Sequence, residues 1–434
     1  MEITTIGLLG IIVLLLLMLT RMPIGFIMAL VGFVGVMLVN SLPAAMGVLK
    51  TVPYSTVSSY NLSVIPLFIL MGEFASRCGL TEGLYNAVYK VIGHLKGGLA
   101  MATILACGLF GAICGSSPAT AGALGKVALP EMDKYKYDSS FAGASVVAGG
   151  SLGSFIPPGV PIVLYAILTE QSIGKMIIAC VIPGAVLMLM YMITAYLIAS
   201  RYPQLAPPGP RHSLADMWHA VRGMLPIAII FVITMGGIYV GIFTATEAAA
   251  VGTFLTFLYA VGTRQLSWEK FVYSLLETGK TSAMIFTILI GAMIFGYFMS
   301  LAKLPMVIAN FISGLEVSRY LIIVGIMIVY LILGCFMDSL AMLLLTVPIF
   351  FPVIQNIGFD PIWFGVLAVT CVEEGLITPP VGMNLYVVKG ISEKIKLEGL
   401  FRRVLPYVLT IVVFQLVLFI FPQLATWLPS LMKF

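Results

Sequence analysis

The sequence predicts an all-α polytopic membrane protein: two inverted repeats, about 10 spans and two re-entrant helical hairpins. Three observations predict it. Of the 434 residues, 60% are hydrophobic and only 9% charged, with a mean hydropathy of +1.10. A soluble core of this size needs a charged surface that this chain lacks. Segment 116–158 is echoed by segment 338–380 at a constant offset of 222 residues and without a gap. In each copy a Pro-Pro pair, Pro157-Pro158 or Pro379-Pro380, interrupts a membrane-length apolar run.

The first element, MEITTIGLLGIIVLLLLMLT, resembles a signal peptide in length. Its acidic second residue, the absence of a basic start and of a small-x-small site before Arg21 predict a retained span instead. Apolar runs long enough to cross a bilayer follow at about 23–41, 61–76, 140–168, 177–200, 224–241, 247–263, 281–300, 361–388 and 404–425. Two pairs of shorter runs, about 99–114 with 119–130 and 320–336 with 340–352, flank polar turn residues and predict the hairpins. The Pro-rich polar stretch 201–223 divides a first repeat, 1–200, from a second, 224–434. The first hairpin then spans about 99–130 and the second about 320–352.

Across 116–158 and its echo, nine of 43 paired positions are identical. Their placement matters more than their number: Pro130/Pro352, Asp138/Asp360, Gly143/Gly365, Gly153/Gly375 and the Pro-Pro pairs are structural punctuation. Ala75-Ser76, Leu80 and Asn86 are echoed by Met299-Ser300, Leu304 and Asn310. A hydrophobic chain built twice, with a break inside a span of each copy, is the pattern of a secondary transporter.

Charge distinguishes inverted from parallel copies. Lys126, Lys134 and Lys136 follow the first hairpin, whereas 348–358 has no basic residue. After the broken span the bias reverses: 169–176 has Lys175, but 389–403 has Lys389, Lys394, Lys396, Arg402 and Arg403. Equivalent loops with opposite bias belong on opposite sides. Placing 126–136 and 389–403 inside also puts Arg21, 77–98, 201–223 and 264–280 inside, with both termini periplasmic.

Candidate sites follow from the tips and the breaks. Ser117, before Pro118, reads as an N-cap that aims free N–H groups at the first tip. Asp338-Ser339 repeats this with Ser339 as cap and adds a carboxylate. The alternative is that the serines merely cap short helices, whereas Asp338 at membrane depth points to function. At each break two prolines remove two donors and free the carbonyls of the preceding turn. Carbonyls with a Ser or Thr hydroxyl form a hard-oxygen set suited to Na⁺. One Na⁺ site is expected from Ser116, Gly153, Ser154, Ile156 and Gly159. The other is expected from Gly334, Asp338, Gly375, Thr378 and Val381. Glu373 and Glu374 lie one turn before the second break, in a proton or cation path or as partners of a neighbouring helix; the residues alone leave both open. Glu247, after Thr244 and Thr246, reads as helix-start stabilisation.

Other chemistries find little support. The six cysteines lie in apolar runs without metal or redox spacing, and the three histidines form no ligand set. The +5 formal charge reflects membrane orientation rather than nucleic-acid binding. The stretch before Gly125-Lys126 has Thr120 and Val127 where a phosphate-binding loop needs Gly and Ser/Thr. A Ser117/Lys126 protease dyad faces the problem that nine residues place the two half a turn apart on a helix.

Six segments together resemble the large membrane subunit of tripartite ATP-independent periplasmic (TRAP) transporters over nearly the whole chain. They are Arg21-Met22-Pro23-Ile24, Ile65 to Gly72, Gly115 to Thr120, Ile156-Pro157-Pro158, Thr244 to Ala250 and Thr378 to Met383. Ala245 departs from the proline expected in the Thr-Glu motif. The resemblance implies an elevator-type transporter in the bacterial inner membrane, driven by Na⁺, with a scaffold and a mobile domain holding both hairpins. It implies a small four-helix membrane (Q) partner, a soluble periplasmic substrate-binding protein and an organic-acid substrate: a C4-dicarboxylate, sialic acid or another sugar acid. The substrate carboxylate is expected at Ser116, Ser117, Thr120, Asp338 and Ser339, between the tips, with Gly97-Gly98 and Gly314 as hinges. A stand-alone divalent-anion/Na⁺ symporter is the alternative, with an intramembrane protease or a channel behind it.

Overall fold

The computed structural model describes residues 2–432 except 19, 21, 309–317 and 336. Arg21, Asn310 and Gly314 lie outside the described residues. Among the described residues every regular element is a helix, so the chain is an all-α polytopic membrane protein. Among the described residues six helices are long and apolar enough to cross a membrane alone, and up to eight spans result if each bent pair counts as one. Of the shorter apolar helices, Ile3–Met18 and Ile24–Val39 have 16 residues each, or about 24 Å of length. Leu8, Leu16, Leu38, Ile193, Leu197, Val232, Leu409 and Ile420 are exposed, the outer surface of a protein solvated by lipid.

The helix order repeats. Ile3–Met18 corresponds to Leu225–Val240, and Ile24–Val39 to Ala245–Gly262. The first hairpin, Gly98–Cys114 with Ser117–Lys134, corresponds to the second, Arg319–Gly334 with Ser339–Asn356. The first broken span, Ser139–Phe155 with Val160–Leu168, corresponds to the second, Pro361–Ile377 with Met383–Ile391. Asp138 accepts from the Phe141 N–H at 2.9 Å, and Asp360 accepts from the Trp363 N–H at 2.9 Å. The repeated aspartate is therefore the N-cap that starts each broken span.

Three differences from the sequence reading have local causes. The run at 61–76 is the second limb of a bent pair, Leu42–Val57 and Tyr60–Arg77, related by 54°; Lys50, Thr51 and Ser55 hide its first limb from a hydropathy window. Its counterpart is one helix, Trp268–Leu301. The polar stretch 201–223 contains the helix Leu214–Arg222, whose Ser213 cap accepts from the Asp216 N–H at 3.1 Å.

Segments expected on one side of the membrane meet at one end of the molecule. Lys394 pairs with Asp133 at 2.6 Å. The Asp138 N–H donates to the Leu205 carbonyl and the Gly209 N–H to the Gly93 carbonyl, each at 2.9 Å. The first hairpin is enclosed, with 15 of the positions Gly98–Cys114 buried. The outer arm of the second buries only Ile323, Ile326, Tyr330 and Gly334 among its described side chains.

Candidate functional site between two hairpin tips

Each tip is a sharp reversal ending in a helix start. Gly115 closes the first arm with φ +65, a conformation that disfavours a side chain. Ser116 then takes an extended backbone (φ −137, ψ 123) as N-cap, with Pro118 in the first turn. In the second hairpin Asp338 is the N-cap, its carboxylate accepting from the Leu340 N–H at 3.2 Å. The expected caps Ser117 and Ser339 are thus each one residue inside the helix. A first-turn proline has no N–H to lose at the first or second helical position, so its presence does not fix the register.

The breaks free carbonyls as the prolines require. Gly153 and Ser154 lack helical donors because Pro157 and Pro158 stand four residues on, and Leu376 faces Pro380 likewise; the Gly375 carbonyl, facing Pro379, accepts instead from the Thr378 N–H at 3.3 Å. A Cβ at Gly159 would lie 1.7 Å from the Ser154 carbonyl oxygen, so only glycine allows the chain to close over it. The Val160 N–H donates to the Gly115 carbonyl at 3.2 Å, joining the first tip to its break. In the second break, Thr378 donates its hydroxyl to the Glu374 carbonyl at 2.7 Å, leaving the oxygen free to accept. The Leu376 and Thr378 carbonyls lie 3.1 and 2.9 Å from where a Gly382 Cβ would stand. Val381 is 42% exposed.

Hairpin and break cross at glycine in both halves. A Cβ at Gly111 would lie 2.7 Å from the Gly153 Cα, and one at Gly375 would lie 2.5 Å from the Gly334 Cα. Such contact lets one backbone present carbonyls to the other. A Cβ at Gly153 would also lie 2.4 Å from the Thr120 Oγ1 and 2.8 Å from the Ser116 carbonyl oxygen. The Thr120 hydroxyl is buried and unpartnered, beside that carbonyl.

A cavity of about 670 Å³ opens between the tips. Ser116, Asp338, Ser339 and Ser154 line it, with Met22 to Phe26, Glu73, Ser76, Thr281, Met284 and Thr287 from other helices opposite. Ser117 and Thr120, expected at the substrate, are fully buried and absent from this lining. They face the first broken span because positions just inside a helix start turn away from the tip. Glu73 was visible in the sequence as an acid in an apolar run; the structure gives it a place in the wall and a partner, Arg77 at 2.9 Å. The lining residues include two carboxylates, Glu73 and Asp338, and no described lysine or arginine.

Behind the tips lies a network that sequence alone did not assemble. Ser117 donates its hydroxyl to Glu373, 256 residues away, and its N–H donates to the Ser154 Oγ at 2.7 Å. The neighbouring Glu374 accepts from the Gln415 amide at 2.9 Å. Lys126 is exposed, about 13 Å along the helix from Ser117, so the two form no dyad. Glu247 and Thr244 form a capping box, the role expected of them. Among the described residues no cluster of His, Cys, Asp and Glu forms a metal site.

The family model for the tripartite ATP-independent periplasmic transporter DctM component matches residues 11–424. The chain is 38% identical to the C4-dicarboxylate TRAP transporter large permease DctM of Pseudomonas aeruginosa, covering 87% of this chain and 88% of that one. It is 33% identical to the sialic acid TRAP transporter large permease SiaM of Vibrio cholerae, covering 94% and 95%. The fold is shared with the Alcanivorax borkumensis YdaH transporter at 15% identity, TM-score 0.61 and 89% of each chain. With nearly its whole length matched, the chain belongs to the TRAP transporter family as a large permease of the DctM type.

Proposed function

We propose that this permease imports an organic acid coupled to Na⁺, receiving it from a periplasmic substrate-binding protein and working with a small four-helix Q subunit. The substrate class is that of the relatives: C4-dicarboxylates, sialic acid or another sugar acid. One observation carries the Na⁺ coupling. The tip cavity is lined by Asp338, and by Glu73 whose charge Arg77 already balances, with no described basic side chain in the lining to receive an anion, so an incoming carboxylate needs positive charge brought with it. The freed carbonyls at each break, the unpartnered Thr120 hydroxyl and the Thr378 hydroxyl are hard oxygens of the kind that hold Na⁺.

The cations are co-transported substrates. The first would sit among Ser116, Thr120, Gly153 and Ser154, and the second among Gly334, Asp338, Gly375 and Thr378. Each would neutralise the tip on its side and let the substrate carboxylate approach Ser116 and Ser339. The paired hairpins and breaks support two inverted repeats and alternate exposure of one site by an elevator movement. In this reading the hairpins and broken spans move as a body against the helices contributing Met22 to Phe26, Glu73, Thr281, Met284 and Thr287.

Reconstitution tests the proposal. Liposomes holding this chain and its Q subunit should take up the acid only with the binding protein and an inward Na⁺ gradient. Uptake by this chain alone would establish a stand-alone symporter, and uptake indifferent to Na⁺ would refute the coupling.

A further inference from the structure

The geometry points to Glu373 as a positioning residue that couples the two hairpin tips, so that the cation sites fill cooperatively. This rests on the reading of the tips and breaks as cation sites. Glu373 belongs to the second broken span and is fully buried. One carboxylate oxygen accepts the Ser117 hydroxyl from the first tip, and the other has no partner. Among the described residues no cation pairs with it at salt-bridge distance; the bridges join other residues. A carboxylate kept in such a place needs a reason beyond packing.

Its neighbours supply that reason. Ser117 follows Ser116, a wall of the tip cavity, and its N–H is held by Ser154 at the first break. Glu373 stands two residues before Gly375, where the second break presses on Gly334 of the second hairpin. A single hydrogen bond therefore joins the first tip, held to the first break through Ser154, to a residue two positions before the second crossing. The repeat-mate of Glu373 is Ser151, whose carbonyl lies 3.3 Å from the same Ser117 hydroxyl oxygen and is its alternative acceptor. Equivalent positions of both broken spans thus converge on one side chain of the first tip. The second tip lacks a matching link in the described contacts: Asp338 caps its own helix through Leu340. Closing the first tip around an ion fixes Ser117, and Ser117 fixes Glu373 and the start of the second break.

Na⁺-dependent uptake by the complete reconstituted assembly reads this coupling. The wild type should show a Na⁺ Hill coefficient above one. Glu373→Ala should bring it to about one and raise the half-saturating Na⁺ concentration about two- to tenfold, the usual worth of one hydrogen bond. Glu373→Gln keeps an acceptor of the same shape and should restore most of the cooperativity. Ser117→Ala should match Glu373→Ala, and the double variant should be no worse than either. A residue serving only packing would lower thermal stability and maximal rate without moving the Hill coefficient. A Glu373→Ala assembly with wild-type Na⁺ cooperativity overturns the inference. Wild-type uptake that ignores Na⁺ overturns the proposed coupling instead. The Ser117/Glu373 cycle is then scored on substrate half-saturation, where strict additivity overturns the link and non-additivity supports it.

Discussion

Gly153→Ala is the sharpest probe of the first crossing. The added methyl would stand 2.4 Å from the Thr120 Oγ1, 2.7 Å from the Thr120 Cβ and 2.8 Å from the Ser116 carbonyl oxygen. Ordinary van der Waals contact begins at 3.4 Å, so the tip and the break must separate by several tenths of an ångström to about 1 Å. Overpacking of this kind costs about 1–3 kcal/mol. If that cost falls on the ion-bound arrangement, Na⁺ affinity drops roughly 5- to 150-fold. Gly122→Ala supplies a control from the same hairpin, because its methyl meets only Val387 Cγ1 at 3.8 Å. There alanine improves helix propensity by about 1 kcal/mol and should leave transport intact. The assay is the Na⁺ dependence of uptake in liposomes, with thermal unfolding in detergent measured beside it. Gly153→Ala with the Na⁺ dependence of the wild type would refute the placement of an ion at this crossing.

Three further outcomes are expected. Asp338→Asn keeps a good N-cap, so unfolding should shift little while Na⁺-driven uptake falls at least tenfold. Equal uptake by the two would remove the Asp338 charge from the mechanism. Thr378→Val removes a hydroxyl whose oxygen faces the second break and should raise half-saturating Na⁺ about tenfold, whereas Thr378→Ser should remain close to the wild type; identical Na⁺ curves for Val and Ser would count against the site. Cysteines at Ala119 and Met284, on opposite walls of the cavity, should abolish uptake when joined by a short bifunctional reagent in a background without the six native cysteines. Cysteines replacing the Asp133–Lys394 pair join two parts of the proposed moving body, and their cross-link should leave uptake intact. Full transport through the Ala119–Met284 lock would sink the elevator reading.

What the sequence displayed were features with local causes. Two prolines end a helix wherever they fall, so both breaks were legible; Asp138 and Asp360 were legible as repeated punctuation, and the structure makes them the caps that begin each broken span. The hairpins were legible as apolar pairs around a polar turn. What escaped depends on register or distance. The caps lie at Ser116 and Asp338 rather than one residue later, a shift that turns Ser117 from the cavity into the protein. The partner of Ser117 is 256 residues away, and periodicity carries no information about such a pairing. The helix Leu214–Arg222 was hidden by its Pro-rich neighbours, although Ser213 three residues before Asp216 is a capping pattern.

The repeat preserves geometry and lets chemistry diverge. Glycine crossings, proline breaks and aspartate caps recur in both halves, since each fixes a backbone path. The side chains on that path differ in one consistent way. Where the first half has Ser116, Ser151 and Leu152, the second has Asp338, Glu373 and Glu374. Around the tip and the turn before the break, formal negative charge thus lies in the second copy. A cation held by neutral carbonyls and hydroxyls gains from oriented dipoles; one beside a carboxylate gains from a full charge in a low-dielectric setting, a larger and longer-ranged term. On the proposed reading of the two ion sites, the second is therefore the tighter. The Ser117–Glu373 bond then gives the weaker first site a share in that binding energy. Two equal sites would need no such link, and a link without the charge difference would have little to transmit.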